Sequence, residues 1–403
     1  MALIVQKFGG SSVADAECIG RVAWIVAEKY SDGNDVVVVL SAQGDTTDDL
    51  IAKALEINPN PSKREMDVLL STGEQASAAL MAMALEKIGL PVVSLTGWQI
   101  NMQTNSEYGN ARIKSLLPER IKTELDRRRI VLIAGFQGVN KFDDITTLGR
   151  GGSDTTAVAV AAALHADLCQ IFTDVEGIYT GDPRKVPGTR KLDEITYDEM
   201  LELASLGARV LHNRSVEMAK RYNVSLEVLS SFVRKPGTKV KEVTKKVEYA
   251  KISGVAKDTN IARIALVGLR DEPGVAFKIF RVLANSKINI DIILQSIGRE
   301  SSKDISFTVA RDDMNAAVSV LAENKESIGY SDISMTDKIA KVSIVGAGMM
   351  SSPGVAAMMF EALFEAKVNI GMISTSEIKV SVLVDENDSD RAVTAIHAKF
   401  FGQ

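Results

Sequence analysis

"LIVQKFGGSSVADAE" (residues 3–17) runs from an apolar stretch through Lys7 and two glycines into two serines and a helix-like pattern. Leu3, Ile4 and Val5 read as a strand that turns on Gly9–Gly10 into a helix, the opening step of an α/β fold. Two uses of that turn stay open. It can simply be tight, or it can cradle a phosphate, because Gly9 and Gly10 leave backbone N–H groups accessible to an anion. Ser11 or Ser12 can cap the following helix, whose N-terminus favours negative charge, and Lys7 can reach the same anion as a point charge. No Gly-Lys-Ser/Thr occurs, so this is not a Walker loop.

Outward from that stretch, residues 1–245 alternate short β-rich runs with helical patterns. "LIVQKF", "DVVVVLSA", "PVVSL", "IVLIAGF" and "CQIFTDV" read as strands, and Val68–Ile88 and Thr155–Leu168 as helices. The alternation predicts helices on both faces of a largely parallel sheet. "VRKPGTKVKEVTKKVE" (233–248) is rich in Lys, Pro and Gly and reads as a linker. Beyond it the chain repeats itself. "VGLRDEPGVAFKIFRVLANSKINIDII" (267–293) matches "VGAGMMSSPGVAAMMFEALFEAKVNIGMI" (345–373), with Pro273-Gly274-Val275 on Pro353-Gly354-Val355 and Asn289-Ile290 on Asn369-Ile370. Each copy reads βαββαβ, with proline suited to a helix start. The second copy stops after a helix near residues 392–400, while "VEYAKISGVA" (247–256) is an unassigned strand ahead of the first. We therefore expect residues 247–256 to complete the second copy's sheet, with the first copy inserted into it.

Further glycine turns carry polar residues. In "VVVVLSAQGDTTDDL" (36–50), Ser41 and Thr47 bracket Gly44 at a strand's carboxyl end, where α/β sheets place ligands; Thr46 or Thr47 can instead cap a helix. In "LGRGGSDTTAVAVAAAL" (148–164), Arg150 precedes two glycines, and Ser153 and Asp154 open an Ala-rich helix. That arginine can take a carboxylate or phosphate bidentately, or be a surface residue beside an Asp cap. "LLSTGEQAS" (69–77) puts Glu74 after a glycine, where a helix start favours an acid, or where the acid can bind a substrate ammonium. "FTDVEGIYTGDPRKV" (172–186) can wall a nucleotide or be an ordered loop.

Composition narrows the class. Hydrophobic residues are 46% and charged ones 25% of 403, and 47 Lys+Arg against 52 Asp+Glu leave a net charge of −5, so no broad basic field attracts nucleic acid or an anionic membrane. Cys18 and Cys169 match no metal or disulfide spacing and read as buried hydrophobes in a reducing cytoplasm. The longest apolar stretch, Ala157–Leu164, falls short of a membrane span, and the N-terminus shows no signal-peptide pattern. His165, His212 and His397 lack metal spacing and read as structural, which argues against a zinc enzyme or a serine–histidine hydrolase. Glycine turns with cations or hydroxyls and no histidine base point to phosphoryl transfer, and a carboxylate acceptor needs no base.

Taken together, "KFGGSSV", "LLSTGEQ", "LGRGGSDTTA", "FTDVEGIYTGDPR", "LDEITYDEMLELASLGARVLH" and the two Pro-Gly-Val repeats resemble an aspartokinase, from end to end. The resemblance implies an amino-acid-kinase αβα sandwich (1–245) and two ferredoxin-like ACT modules, one at 264–335 inserted into one built from 247–256 with 340–403. It implies transfer of the γ-phosphoryl of ATP, with Mg²⁺, to the side-chain carboxylate of L-aspartate. The product would be 4-phospho-L-aspartate, feeding lysine, threonine, methionine and isoleucine synthesis.

The same resemblance implies roles. Lys7 would stabilise the transferring phosphoryl group and Asp154 would organise Lys7, both as catalytic residues. Lys7, Phe8, Gly9, Gly10, Ser41, Thr173, Asp174, Tyr179 and Arg184 would line the ATP site. Thr47, Glu74, Arg150, Gly151, Gly152 and Ser153 would hold aspartate, with Glu74 at the amine and Arg150 at the α-carboxylate. Lysine, threonine or both would bind as effectors at Asp271, Gly274, Ala276, Asn289, Asp291 and Gln295 of one module, and at Val355, Ala356, Asn369, Ile370, Ser376 and Glu377 of the other. No protein ligand to Mg²⁺ is implied.

Asn213 stands where the family commonly has proline, which alters helix capping at most. No methionine lies between Met218 and Met314, so a separate regulatory subunit from an internal Met start is not expected, whereas a start at Val247 or Val255 stays open. We expect a homodimer through the ACT modules, or a higher oligomer, with no nucleic acid or membrane partner. A catalytically dead amino-acid sensor, or an acetylglutamate, glutamate or uridylate kinase, is the rival. Intact Lys7, Arg150 and Asp154 argue against the first, and the paired modules with "EITYDEM" against the others.

Overall fold

The computed structural model describes residues 1–205, 210–242, 251–297, 302–347, 349 and 354–402. Outside them lie the end of the expected linker, the start of "VEYAKISGVA", residues 206–209 of the "LASLGARVLH" run, and Pro353. The chain divides into two units. The described part of the first is Met1–Tyr179, Arg190–Ser205 and 210–242; that of the second is Thr180–Thr189 and the residues from 251 onward.

In the first unit β1 (Leu3–Phe8) is followed by α1 (Ala16–Ser31), β2 (Asp35–Leu40), α2 (Thr46–Ile57), α3 (Lys63–Lys87) and β3 (Val92–Leu95). Next come β4 (Met102–Thr104), β5 (Ile113–Leu116), α4 (Glu119–Asp126), β6 (Ile130–Ala134), β7 (Gln137–Val139), β8 (Ile145–Thr147) and α5 (Gly152–Leu164). The unit ends with β9 (Leu168–Thr173), β10 (Glu194–Thr196), α6 (Tyr197–Ser205), α7 (Asn213–Tyr222), β11 (Leu226–Ser230) and β12 (Thr238–Lys241).

Its main sheet runs β10-β12-β11-β9-β1-β2-β6-β3, with every neighbour parallel except β11 and β12. Strands covered on both faces should be apolar throughout, and "DVVVVL" and "IVLIA" are. One face, with Phe8, Val36, Val38, Leu40, Ile130 and Leu132, packs on Val22 and Val26 of α1 and Met81 and Leu85 of α3. α5 lies against β1, β2 and β9, its buried alanines 157, 159 and 161 permitting close approach to the sheet. β5-β4-β7-β8 form a small second sheet.

Some local expectations shift. α5 stops at Leu164 because His165 adopts the left-handed conformation (φ 52°), and Leu168 already belongs to β9. Neither Ser11 nor Ser12 caps α1; Asp15 does, accepting from the Cys18 N–H, while Gly10–Val13 forms a short 3-10 turn. Neither Thr46 nor Thr47 caps α2. Glu74 sits mid-way along the 25-residue α3, not at a helix start. α3 is also long and apolar enough to cross a membrane, yet it buries Asp67 and Glu74 together with Met81 and Leu85, as a core helix does.

In the second unit the order is β13 (Lys251–Asp258), β14 (Ala262–Arg270), α8 (Val275–Asn285), β15 (Ile293–Ile297), β16 (Ser302–Val309), α9 (Met314–Glu323), α10 (Lys325–Ile328) and β17 (Asp332–Thr336). β18 (Ile339–Ala347), α11 (Val355–Glu365), β19 (Met372–Thr375), β20 (Lys379–Asp385) and α12 (Ser389–Phe401) follow. Two antiparallel four-stranded sheets result, β15-β16-β14-β17 and β19-β20-β18-β13. β13 pairs with β18 just as β17 pairs with β14, so a strand preceding the first repeat completes the second repeat's sheet. α8 and α11 start from Gly274 (φ 94°) and Gly354 (φ 100°), a left-handed N-cap that favours glycine. Pro273 precedes that cap and does not occupy the first helical position. Ile261 and Ile292 cluster with Met372 and Leu383, joining the two modules.

Candidate active site

The carboxyl ends of β1 and β2, the start of α5 and the middle of α3 converge on one cavity of about 280 Å³. Lys7, Gly9, Gly10, Ser41, Ala42, Gly44, Thr47, Glu74, Phe136, Gly151, Gly152, Ser153 and Asp154 line it. Most of these are residues singled out in the sequence, drawn from three separate turns and the middle of α3.

The cradle is held shut by backbone. Ser12 N–H donates to Gly9 O at 3.0 Å, and Gly44 N–H to Gly10 O at 3.1 Å, locking the first glycine turn to the second. A Cβ on Gly10 would stand 2.8 Å from the Ala42 carbonyl oxygen, so only glycine permits this approach. Gly151 is left-handed (φ 67°), and a Cβ there would come within 2.3 Å of His212 Cβ. Beneath the turn, Phe8 and Phe172 stack with centroids 4.5 Å apart. Phe8 is fully buried, so its side chain supports the cradle from below and does not face a ligand.

Two charged groups oppose each other chemically. Lys7 Nζ lies 2.7 Å from Asp154 Oδ1, each side chain 12% exposed. Asp154 is therefore a partner for Lys7 and not a helix cap, and the pair leaves the ammonium facing a glycine-lined space. Glu74 is 4% exposed; Oε1 accepts the Ala42 N–H at 3.2 Å, while Oε2 is buried with no hydrogen-bond partner among the described residues. Burial pushes its carboxyl up to about 7, against a smaller opposing effect of the Ala42 N–H. An unsatisfied buried carboxylate oxygen calls for a donor, and a ligand ammonium supplies one.

Arg150 is exposed, between Gly149 and Gly151, and its side chain does not line the cavity. Thr173 ends β9, its hydroxyl donating to Asp174 Oδ1 at 2.9 Å; Asp174 is exposed and Tyr179 is half-buried, bridging to Lys191. Arg184 lies in Thr180–Thr189, which packs with the second unit, and it pairs with Asp182. None of Thr173, Asp174, Tyr179 and Arg184 lines the cavity. His212 caps α7, its Nδ1 accepting the Arg214 N–H, and desolvation, then Arg214, holds its pKa below the usual value. Asn213 donates to Ser205 Oγ, a role proline lacks. Sequence reasoning passed over Ala42 and Phe136, which contribute backbone position and bulk and carry no chemical signal of their own.

A second cavity in the same unit, about 550 Å³, is bounded by Gln75, Trp98, Gln99, Gln137 and Asp143 among others. It is larger but offers no cation to a phosphate. In the second unit the expected effector residues flank the starts of α8 and α11 and the edge strands β15 and β19. Asp271 pairs with Lys303, and Asp291 with the buried Lys341.

Residues 2–230 match the amino acid kinase family, and residues 264–324 and 342–400 match the ACT domain. An aspartokinase of Mycolicibacterium smegmatis is 53% identical over 405 residues, 99% of this chain and 96% of the relative. The crystal structure of E. coli aspartokinase III in complex with aspartate and ADP (R-state) matches with a TM-score of 0.84 at 28% identity, across 99% of this chain and 100% of that one. The T-state of that enzyme, in complex with lysine and aspartate, matches at 0.76 and 28% over 99% of each chain. Near-complete coverage at such identity, with a glycine cradle built around Lys7 and Asp154, places this chain in the aspartokinase family.

Proposed function

We propose that this chain transfers the γ-phosphoryl group of ATP to the side-chain carboxylate of L-aspartate, forming 4-phospho-L-aspartate, in the cytoplasm. The observation that carries the reading is the pairing of Lys7 with Asp154 in a glycine-lined cavity whose other wall holds the orphaned Glu74 Oε2. A phosphoryl donor needs positive charge and open backbone; an amino-acid acceptor needs a buried acid for its ammonium.

The chemistry follows from those groups. An aspartate side chain is already ionised at neutral pH, so its oxygen attacks phosphorus without a general base. Lys7 neutralises charge on the transferring group, and Asp154 holds Lys7 in line. Ser41 and the Gly9–Gly10 turn flank the phosphates, Thr47 and Glu74 hold aspartate, and Ser153 with Gly151–Gly152 sits beside its reacting end. Arg150, adjacent to Gly151, would fold over the α-carboxylate. Phe8 supports the ATP-side turn; Thr173, Asp174, Tyr179 and Arg184 are the proposed remainder of the ATP site. Mg²⁺ would enter with the nucleotide, screening its phosphate charge.

We take residues 1–245 as the catalytic domain, 264–335 as an inserted ACT module, and 247–256 with 340–403 as the second. The family match over both repeats, and the lysine complex of E. coli aspartokinase III, support regulation here by an amino acid such as lysine; threonine, alone or with lysine, and a homodimer or higher oligomer complete the proposal. The step would open lysine, threonine and methionine synthesis. ADP release from MgATP with aspartate, glutamate and acetylglutamate tests the assignment: turnover with aspartate alone is expected, and a preference for either other acid would replace it.

A further inference from the structure

Ser231, which follows β11, and Ser12, in the 3-10 turn after β1, are 3% and 1% exposed. Their hydroxyl oxygens are 2.8 Å apart. Strand β9 lies between β1 and β11 in the sheet, so this contact closes over the carboxyl end of β9. There the Thr173 carbonyl accepts both the Ser231 N–H at 3.0 Å and the Ser231 hydroxyl at 3.3 Å. A hydroxyl has one proton, so in the arrangement where Ser231 gives its own to Thr173, Ser12 donates to Ser231. Thr173 in turn donates its own hydroxyl to Asp174 Oδ1 at 2.9 Å. A short hydrogen-bonded chain thus runs from Ser12 through Ser231 to the Thr173 carbonyl, and the hydroxyl of the same Thr173 separately bonds Asp174.

Both ends bear on catalysis. Ser12 closes the Gly9–Gly10 turn through its N–H, and Asp174 is the proposed ATP-side carboxylate. We infer that Ser231 is a positioning residue for ATP, its hydroxyl holding the phosphate-cradling turn in register with the nucleotide side of β9. The inference rests on the ATP-site reading above. Ser231 does not line the cavity, and its hydroxyl bonds go to Ser12 and Thr173, so its effect should fall on the nucleotide. Packing supports rigidity at this point, because Phe8 and Phe172 stack directly beneath the two strand ends the chain connects. The buried Ser12–Ser231 contact fixes one geometry, since removing either hydroxyl leaves the other short of a partner it cannot replace with water.

The test is steady-state kinetics of the full chain with MgATP and aspartate for Ser231→Ala, Ser12→Ala, the double variant, Ser231→Thr and Asp174→Asn. Each alanine variant should raise KM for ATP roughly 2- to 12-fold, the weight of one hydrogen bond, with KM for aspartate within about twofold of wild type. The double variant should be no worse than the poorer single, as for two links of one chain. Ser231→Thr, which keeps the hydroxyl, should recover most of the ATP affinity and also serves if the alanine variant folds poorly. A raised KM for ATP in Asp174→Asn but not in Ser231→Ala would overturn this inference alone. No rise in either would overturn the ATP-site reading with it. Lower thermal stability with unchanged KM for ATP, or additive effects in the double variant, would reduce the chain to ordinary structure.

Discussion

Replacing Glu74 by glutamine separates its two jobs, because the variant keeps the shape and the acceptor for Ala42 N–H but can never ionise. In the folded chain the carboxyl is raised from the usual 4.5 to about 7, chiefly by burial. The unfolded chain therefore releases this proton first, and stability falls as pH rises from about 4.5 to 7. That change corresponds to about 3 kcal/mol. Glu74→Gln should thus match wild type near pH 4.5 and gain up to about 3 kcal/mol by pH 8, measured by urea unfolding across pH. Activity should move the other way. An ammonium needs the ionised acid, so wild-type kcat/KM for aspartate should drop about tenfold per pH step below about 7. The variant should lack that inflection and lose aspartate affinity by about 1.5–3 kcal/mol, the worth of a charged hydrogen bond. Parallel stability curves for the two proteins, with the same pH inflection in both, would refute the reasoning.

Three further outcomes are expected. Lys7→Ala should lower kcat at least ~10²-fold with the fold intact by circular dichroism, because the ammonium stabilises charge that develops in the transition state. Arg150→Ala should raise KM for aspartate, by roughly 1.5–3 kcal/mol, and leave ATP nearly unchanged; the reverse in the same assay would assign this arginine to the nucleotide. Aspartate kinetics with lysine and threonine, alone and paired, should show inhibition coupled by about 1–3 kcal/mol, weakened in Gln295→Ala; no response to either would leave the ACT modules structural.

How much of this was legible varied with the kind of residue. "DVVVVL" and "IVLIA" announce buried parallel strands because they are apolar on both faces, too short for a helix and rich in β-branched residues. The repeats exposed the second unit's plan, since the same helix, turn and strand order recurs and only an upstream strand could complete the second sheet. Lys7, Gly9, Gly10, Ser41, Thr47, Ser153 and Asp154 could be picked out from their own turns, but local sequence does not show that these turns meet at one cavity. Glu74 reads as a helix-start acid until α3 is seen to run from Lys63, which turns it into a buried mid-helix carboxylate aimed at the cavity. Ser12 reads as a cap, yet its hydroxyl bonds Ser231, 219 residues away, and no local pattern encodes such a partner. Phe136 contributes to the wall through a left-handed backbone (φ 69°), which its residue type disfavours and no propensity predicts.

Trapping the product with hydroxylamine shows whether the phosphoryl acceptor is the side-chain carboxylate of aspartate. Incubation of the purified chain with MgATP, L-aspartate and hydroxylamine should yield the β-hydroxamate of aspartate in step with ADP, and Lys7→Ala should yield almost none. An α-hydroxamate, or ADP formed without any hydroxamate, would contradict the account.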